Sequence, residues 1–203
     1  MFKIAVLVSG GGSNLGSIIE HIKSGYIKNT SIEYVISDTP DVYALTRAKE
    51  NNIKNIVLDK KIYKNNISDE ILKIIQGKVD LIVLAGFFSI LQGEIIKEFK
   101  NRIINIHPSL IPSFCGKGAY GIHVHEKTLE YGVKVSGCTV HFVDEGTDTG
   151  AIIIQKTVNV NAEDTPRELQ LRIMEKEHEA LPEAVKLISE GRVKVEGRKV
   201  FIK

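Results

Sequence analysis

Short apolar runs rich in valine and isoleucine alternate with stretches of helical period, and this alternation limits the folds open to the chain more than any other feature. FKIAVLV (2–8) is followed by a Gly/Ser/Asn loop and then by NLGSIIEHIKS (14–24), which reads as strand then helix. The pattern recurs as IEYVIS (32–37) and DVYALTRAKEN (41–51), IKNIVL (53–58) and ISDEILKIIQG (67–77), and VDLIVLA (79–85) and SILQGEIIKEF (89–99), ending on RIINI (102–106). Strands apolar on both faces and separated by helices of about three turns imply a parallel sheet covered on both sides. The expected class is α/β, with a Rossmann-like, mostly parallel sheet and helices on both faces. Right-handed crossovers then place the loop-bearing strand ends on one edge.

The second half reads differently. HPSLIPSFCGKGAYG (107–121) is a long loop, and a structureless connection of that length in a compact domain is often a lid or binding loop. A helix from 122 to 132, strands at 133–143 and 151–160 and the turn DEGTDTG between them follow. TPRELQLRIMEKEHEALPEAVKLISEG (165–191) predicts one long helix, with Thr165 as N-cap, Pro166 at the first helical position, Glu168 closing a capping box and Gly191 ending it. VKVEGRKVFI (193–202) predicts a terminal hairpin turning near Glu196 and Gly197. With 203 residues and no repeat, low-complexity stretch or linker, one domain over 1–203 is expected, its Rossmann-like half at 1–106 and its completing half at 107–203.

Composition excludes several function classes. The longest apolar runs, Ile4 to Val8 and Leu81 to Ala85, are five residues each, against about 20 for a membrane-spanning helix. No signal-peptide cleavage pattern follows the first strand, so a cytoplasmic location is expected. Cys115 and Cys138 form no CxxC pair and make neither a disulfide framework nor a metal site. A net charge of +2 argues against a nucleic-acid binder, so any anion site must be local.

Three constellations could carry chemistry. In Ser9-Gly10-Gly11-Gly12-Ser13-Asn14 the glycines permit a sharp turn, and free N–H groups at the helix start, with the Ser13 hydroxyl, suit a phosphate. Leu15 breaks a GxGxxG fingerprint begun at Gly10, and the Gly11–Gly16 spacing is followed by Ser17 rather than the lysine of a P-loop. A tight turn with no ligand is the other reading. In Asn105-Ile106-His107, strand alternation sends Asn105 and His107 to one side, where an amide and an imidazole could stabilise an oxyanion and move a proton. A structural histidine at a strand end is the alternative. His141 to Gly150 holds three carboxylates that could form a solvated turn, a metal loop or a support for His107, and its spacing is not that of an EF-hand. A carboxylate near His107 would orient the imidazole and favour its protonated form.

SGGGSNL (9–15), LAGFFSIL (84–91), NIHPSLIPSF (105–114), GKGAYG (116–121) and HFVDEGTDTG (141–150) together resemble the phosphoribosylglycinamide formyltransferase family over almost the whole chain. The resemblance implies transfer of a formyl group from 10-formyltetrahydrofolate, as co-substrate and without metal, to the amine of glycinamide ribonucleotide in purine synthesis. It further implies Gly12, Ser13 and Asn14 at the phosphate, Asn105 and His107 at the formyl group, Asp148 as the partner of His107, and Glu177 near the substrate amine. Asp148 is preferred to Asp144 because the family's aspartate lies two before the closing glycine. The tetrahedral intermediate would be stabilised by Asn105 and by a protonated His107 whose pKa Asp148 raises. Partners are then small molecules, with no nucleic acid or membrane, and a homodimer is left open.

Phe87, Phe88, Ile90 and Leu91 are expected to wall the pterin pocket, as the matching family segment does; taken singly, each equally suits a helix-start residue packed into the core. Ser89 departs from the pattern, since many relatives carry arginine there, so backbone rather than side-chain contacts to folate are expected at this position. Cys115 and His123 are also unusual for the family, and Cys115 is expected to be non-catalytic. Supporting roles are expected for His125 and His141. The competing functions are another folate formyl enzyme, such as a formyltetrahydrofolate deformylase, and a nucleotide-binding module without catalysis in which Asp38 would hold a ribose.

Overall fold

In a computed structural model that describes Met1–Lys203, the strands order as β3-β2-β1-β4-β5-β6-β7 in one mostly parallel sheet, with a separate two-stranded hairpin, β8-β9. The chain forms two compact units, Met1–Asn105 and Ile106–Lys203.

In the first unit β1 (Phe2–Val8) lies between β2 (Thr30–Ser37) and β4 (Leu81–Leu84), pairing in parallel with both. β3 (Asn55–Val57) extends the sheet beyond β2, and β5 (Ile103–His107) pairs with β4. Helices α1 (Ser13–Lys23), α2 (Tyr43–Glu50), α3 (Lys60–Tyr63), α4 (Ile67–Ile75) and α5 (Glu94–Glu98) connect these strands. Ile4, Ala5, Val6, Leu7 and Val8 are wholly buried, because a central parallel strand meets helices on both faces. Each large aliphatic side chain so buried stabilises the fold by about 1.5–3 kcal/mol. Strand order reverses between β1 and β4, and that reversal opens a crevice at their carboxyl ends, where Ser9 and Gly86 lie.

The second unit begins on the last residues of β5 and continues through a connection with no helix or strand to α6 (Ile122–Tyr131). β6 (Val135–Phe142) pairs antiparallel with β7 (Ile152–Asn159), and α7 (Pro166–Ser189) packs on both. Gly137 is required here, since a Cβ would stand 2.0 Å from the Lys156 carbonyl oxygen across the ladder. The capping box forms as expected: Thr165 Oγ1 accepts the Glu168 amide and the Glu168 carboxylate accepts the Thr165 amide at 2.8 Å. β8 (Val193–Glu196) and β9 (Lys199–Ile202) make the expected hairpin.

The structure differs from the sequence reading in two places. The helix expected over 89–99 is confined to Glu94–Glu98. Side-chain oxygens take the amides upstream of it: Ser9 Oγ accepts from Phe88 at 2.8 Å and Ser68 Oγ from Gln92 at 3.1 Å, while Gly93 has a φ of 77° that breaks the helical path. A short helix with its 3-10 turn at Lys60–Asn66 also stands where no helix was expected. Asp59 caps it, accepting the Lys61 amide at 2.8 Å.

Candidate active site

Gly12 caps α1 with φ 67° and ψ 39°, a left-handed conformation that glycine adopts at little cost. A Cβ there would also collide with Ala44 Cβ at 2.7 Å, so residue 12 must be glycine on two counts. α1 has no side-chain cap and no acidic residue in its first turn, so no carboxylate there offsets its N-terminal dipole. Ser13 opens the helix and Asn14, next to it, is buried. Gly10 and Gly11 have open space where side chains would be. This is the geometry that receives an anion.

Across the crevice in the same unit, residues 86–92 follow β4. Ser9 ties them to the glycine loop, its amide donating to Gly86 O at 2.9 Å and its hydroxyl accepting from the Phe88 amide. The four apolar side chains expected to form a pocket wall divide into two pairs. Phe87 and Leu91 are buried in the core, whereas Phe88 and Ile90 are 53% and 67% exposed. The Ser89 hydroxyl donates to Asp38 Oδ2 at 2.7 Å, so the side chain is turned inward. Asp38, fully buried, also accepts from the Thr39 hydroxyl at 2.9 Å and lies 3.6 Å from Lys60 Nζ. With its carboxylate engaged in this way, Asp38 is not placed to hold a ribose.

β5 carries Asn105, half-buried, and His107, buried, on one face of the strand. In the second unit His107 Nδ1 lies 3.7 Å from Asp148 Oδ2, and its Nε2 is 3.0 Å from the Phe114 carbonyl, which can only accept. Asp148 sits at φ 58° in the β6–β7 connection. Its Oδ2 accepts the Gly116 amide at 2.9 Å, and its Oδ1 faces His141 Nε2 at 3.6 Å. Asp144 instead closes its own turn, accepting from the Gly146 amide and the Thr149 hydroxyl. Asp148 is therefore the carboxylate that faces His107.

Burial pushes the His107 pKa below its ordinary value, while the Asp148 charge and the Phe114 carbonyl pull it up and lose. Asp148 thus pulls in the expected direction, but desolvation of a buried imidazole outweighs it and His107 rests neutral rather than protonated. Burial also acts to raise the Asp148 pKa, yet the facing His141 imidazole, the hydrogen bond from the Gly116 amide and His107 together take it below the ordinary carboxylate value. His125 is buried with an unpartnered Nδ1, and burial followed by the proximity of His107 lowers it to about 4. It stays neutral at physiological pH.

A family model described as formyl transferase matches residues 2–185. The chain is 40% identical over 205 residues to the phosphoribosylglycinamide formyltransferase of Haemophilus influenzae, covering all of this chain and 94% of that protein. The chain belongs to the phosphoribosylglycinamide formyltransferase family. A solved glycinamide ribonucleotide transformylase from Symbiobacterium toebii superposes on it with a TM-score of 0.93 at 41% identity, covering 100% of this chain and 94% of that one. It is 39% identical over 196 residues to the human trifunctional purine biosynthetic protein adenosine-3, of which it spans only 19%. Against this formyltransferase background, the structure groups His107 with Asp148, and Ser9 with the segment 86–88. Glu177 lies half-buried on α7, where its charge, after burial, helps push the Cys138 thiol up to about 12.

Two participants escaped the sequence reading. Gly116, in the long loop, supplies the amide that fixes Asp148. Arg47, on α2, donates from Nε to the Gly11 carbonyl at 3.0 Å. Gly116 opens the GKGAYG motif, which does not show where its amide points, and Arg47 lies in no motif; each interaction joins a backbone group to a side chain distant in sequence. No helix of the structure is long and apolar enough to cross a membrane.

Proposed function

We propose that the chain transfers the formyl group of 10-formyltetrahydrofolate to the amine of 5′-phosphoribosylglycinamide, a step of purine biosynthesis. The observation that carries this reading is the pairing of buried His107 with half-buried Asp148, in a chain that matches phosphoribosylglycinamide formyltransferases along its full length.

In this mechanism the α1 amides and Ser13 receive the ribonucleotide phosphate, with Gly12 and Asn14 shaping the cradle. Glu177 orients the amine. Exposed Phe88 and Ile90 offer apolar surface to the pterin, Leu91 supports them from the core, and Ser89 contributes backbone only, because its hydroxyl is committed to Asp38. Asn105 donates its amide N–H to the oxyanion as the amine attacks the formyl carbon. His107 starts neutral, takes the proton lost by the attacking nitrogen and becomes an imidazolium beside Asp148. From Nδ1 it then delivers that proton to the departing N10 of the folate while Asn105 holds the oxyanion, Nε2 staying on the Phe114 carbonyl. A buried base whose pKa lies below the ordinary histidine value is suited to giving the proton up again. We place the reaction in the cytoplasm, where Cys115 and Cys138, both free, stay reduced.

The test is consumption of 10-formyltetrahydrofolate with and without the ribonucleotide. Transfer requires the amine, so consumption should be negligible in its absence. Equal consumption in both cases would assign hydrolysis of the formyl group instead.

A further inference from the structure

The carbonyls of the glycine turn face α2. Gly10 O accepts the Ala44 amide at 3.2 Å, and Gly11 O accepts Arg47 Nε at 3.0 Å. In a trans peptide the carbonyl and the N–H of one unit point in opposite directions. The Gly11 and Gly12 N–H groups are therefore turned away from α2, on a stretch where side chains built at Gly10 and Gly11 would meet nothing within 4 Å. Holding the carbonyls on one side is what presents the donors on the other.

The Arg47 guanidinium is itself held in place. It stacks over the Tyr43 ring with its carbon 4.7 Å from the ring centroid. It also fills the space left by Gly16, where a Cβ would come within 3.1 Å of Nη1. Glycine weakens a helix interior, and Gly16 has no positive φ to require it, so the room it leaves for Arg47 is the structural return for that cost. The chain as a whole carries only +2, so a fixed cation beside the turn is a local feature rather than part of a basic surface.

We propose that Arg47 is a positioning residue for the substrate phosphate: it anchors the Gly11 carbonyl so that the Gly12 N–H stays aimed at the anion, and it sets one positive charge beside the cradle. This inference rests on the reading of residues 9–14 as the phosphate site. The ligand chemistry is a phosphate monoester, and the effect belongs to binding rather than to the formyl transfer step.

The experiment compares glycinamide ribonucleotide with the same substrate lacking its phosphate. Arg47→Ala should raise KM for the phosphorylated substrate about tenfold with kcat and the KM for folate unchanged, the signature of lost uniform binding. It should leave kinetics with the dephosphorylated substrate as in the wild type. Arg47→Lys should fall between, since it keeps the charge but not the planar donor. Gly16→Ala keeps Arg47 but displaces it, and should raise the same KM in a helix at least as stable. An unchanged KM in both Arg47→Ala and Gly16→Ala, or an equal rise for both substrates, would overturn the inference. If the wild type itself did not distinguish the two substrates, the phosphate-site reading would fall and Arg47 with it.

Discussion

Nδ1 of His107 faces Oδ2 of Asp148 at 3.7 Å while the other nitrogen of the ring is held by the Phe114 carbonyl at 3.0 Å. Because a carbonyl only accepts, Nε2 bears a hydrogen in either charge state, and Nδ1 is where the titrating proton arrives. Asp148 is thus set to receive the imidazolium that forms during the reaction, in a site dry enough to keep the resting ring neutral.

Asp148→Asn preserves volume and removes the charge. The carboxylate opposes the desolvation that depresses His107, so its loss lowers the His107 pKa further. The acidic limb of the kcat profile should move to lower pH, and kcat should fall about 10²-fold as the imidazolium loses its counter-charge. A profile superimposable on that of the wild type, with kcat intact, would sink the pairing.

Asn105→Ala removes a proposed oxyanion donor from a strand whose core neighbours, Ile104 and Ile106, are untouched. A loss on the order of 10²–10³ in kcat is expected with the thermal midpoint nearly unchanged. His107→Ala should lose comparable activity. Near-wild-type turnover in either variant, measured on folded protein, would remove that residue from the mechanism.

Cys115 stands in the same loop as Gly116, which makes it a tempting nucleophile. Burial and then the Asp148 charge both raise its thiol pKa, so little thiolate exists at neutral pH. Its Sγ lies 3.3 Å from the Pro112 carbonyl. Cys115→Ala should therefore retain kcat, and the wild type should react slowly with alkylating reagents at neutral pH. Inactivation by the substitution would contradict this account.

Ser89→Ala separates packing from ligand contact. It strips one donor from the buried Asp38 carboxylate, which should cost about 1–2 kcal/mol of stability. KM for folate should stay where it is, because the hydroxyl is turned inward. A raised folate KM at unchanged stability would show that the serine contacts the ligand instead.

The alternation of strands and helices was legible because parallel strands buried on both faces must read as unbroken apolar runs, as Ile4 to Val8 does. The capping box at Thr165 and Glu168 was legible for a similar reason: its partners lie three residues apart and interact through local geometry alone. The segment 86–92 was not. The spacing over 89–99 suits a helix, but up to Gly93 the chain stays irregular, with Ser9 holding the Phe88 amide just before it and Ser68, distant in sequence, taking that of Gln92.

The sequence by itself determined the sheet, the glycine turn at α1, the strand that carries Asn105 and His107, and the resemblance that links them to formyl transfer. Each depends on residue type and short-range spacing. Tertiary structure decided the balance of forces on His107, the inward turn of Ser89, the fixing of Asp148 by Gly116 and the hold of Arg47 on Gly11. These depend on burial and on distances between residues far apart in the chain, and the cost of desolvating an imidazole is set by the atoms that pack around it.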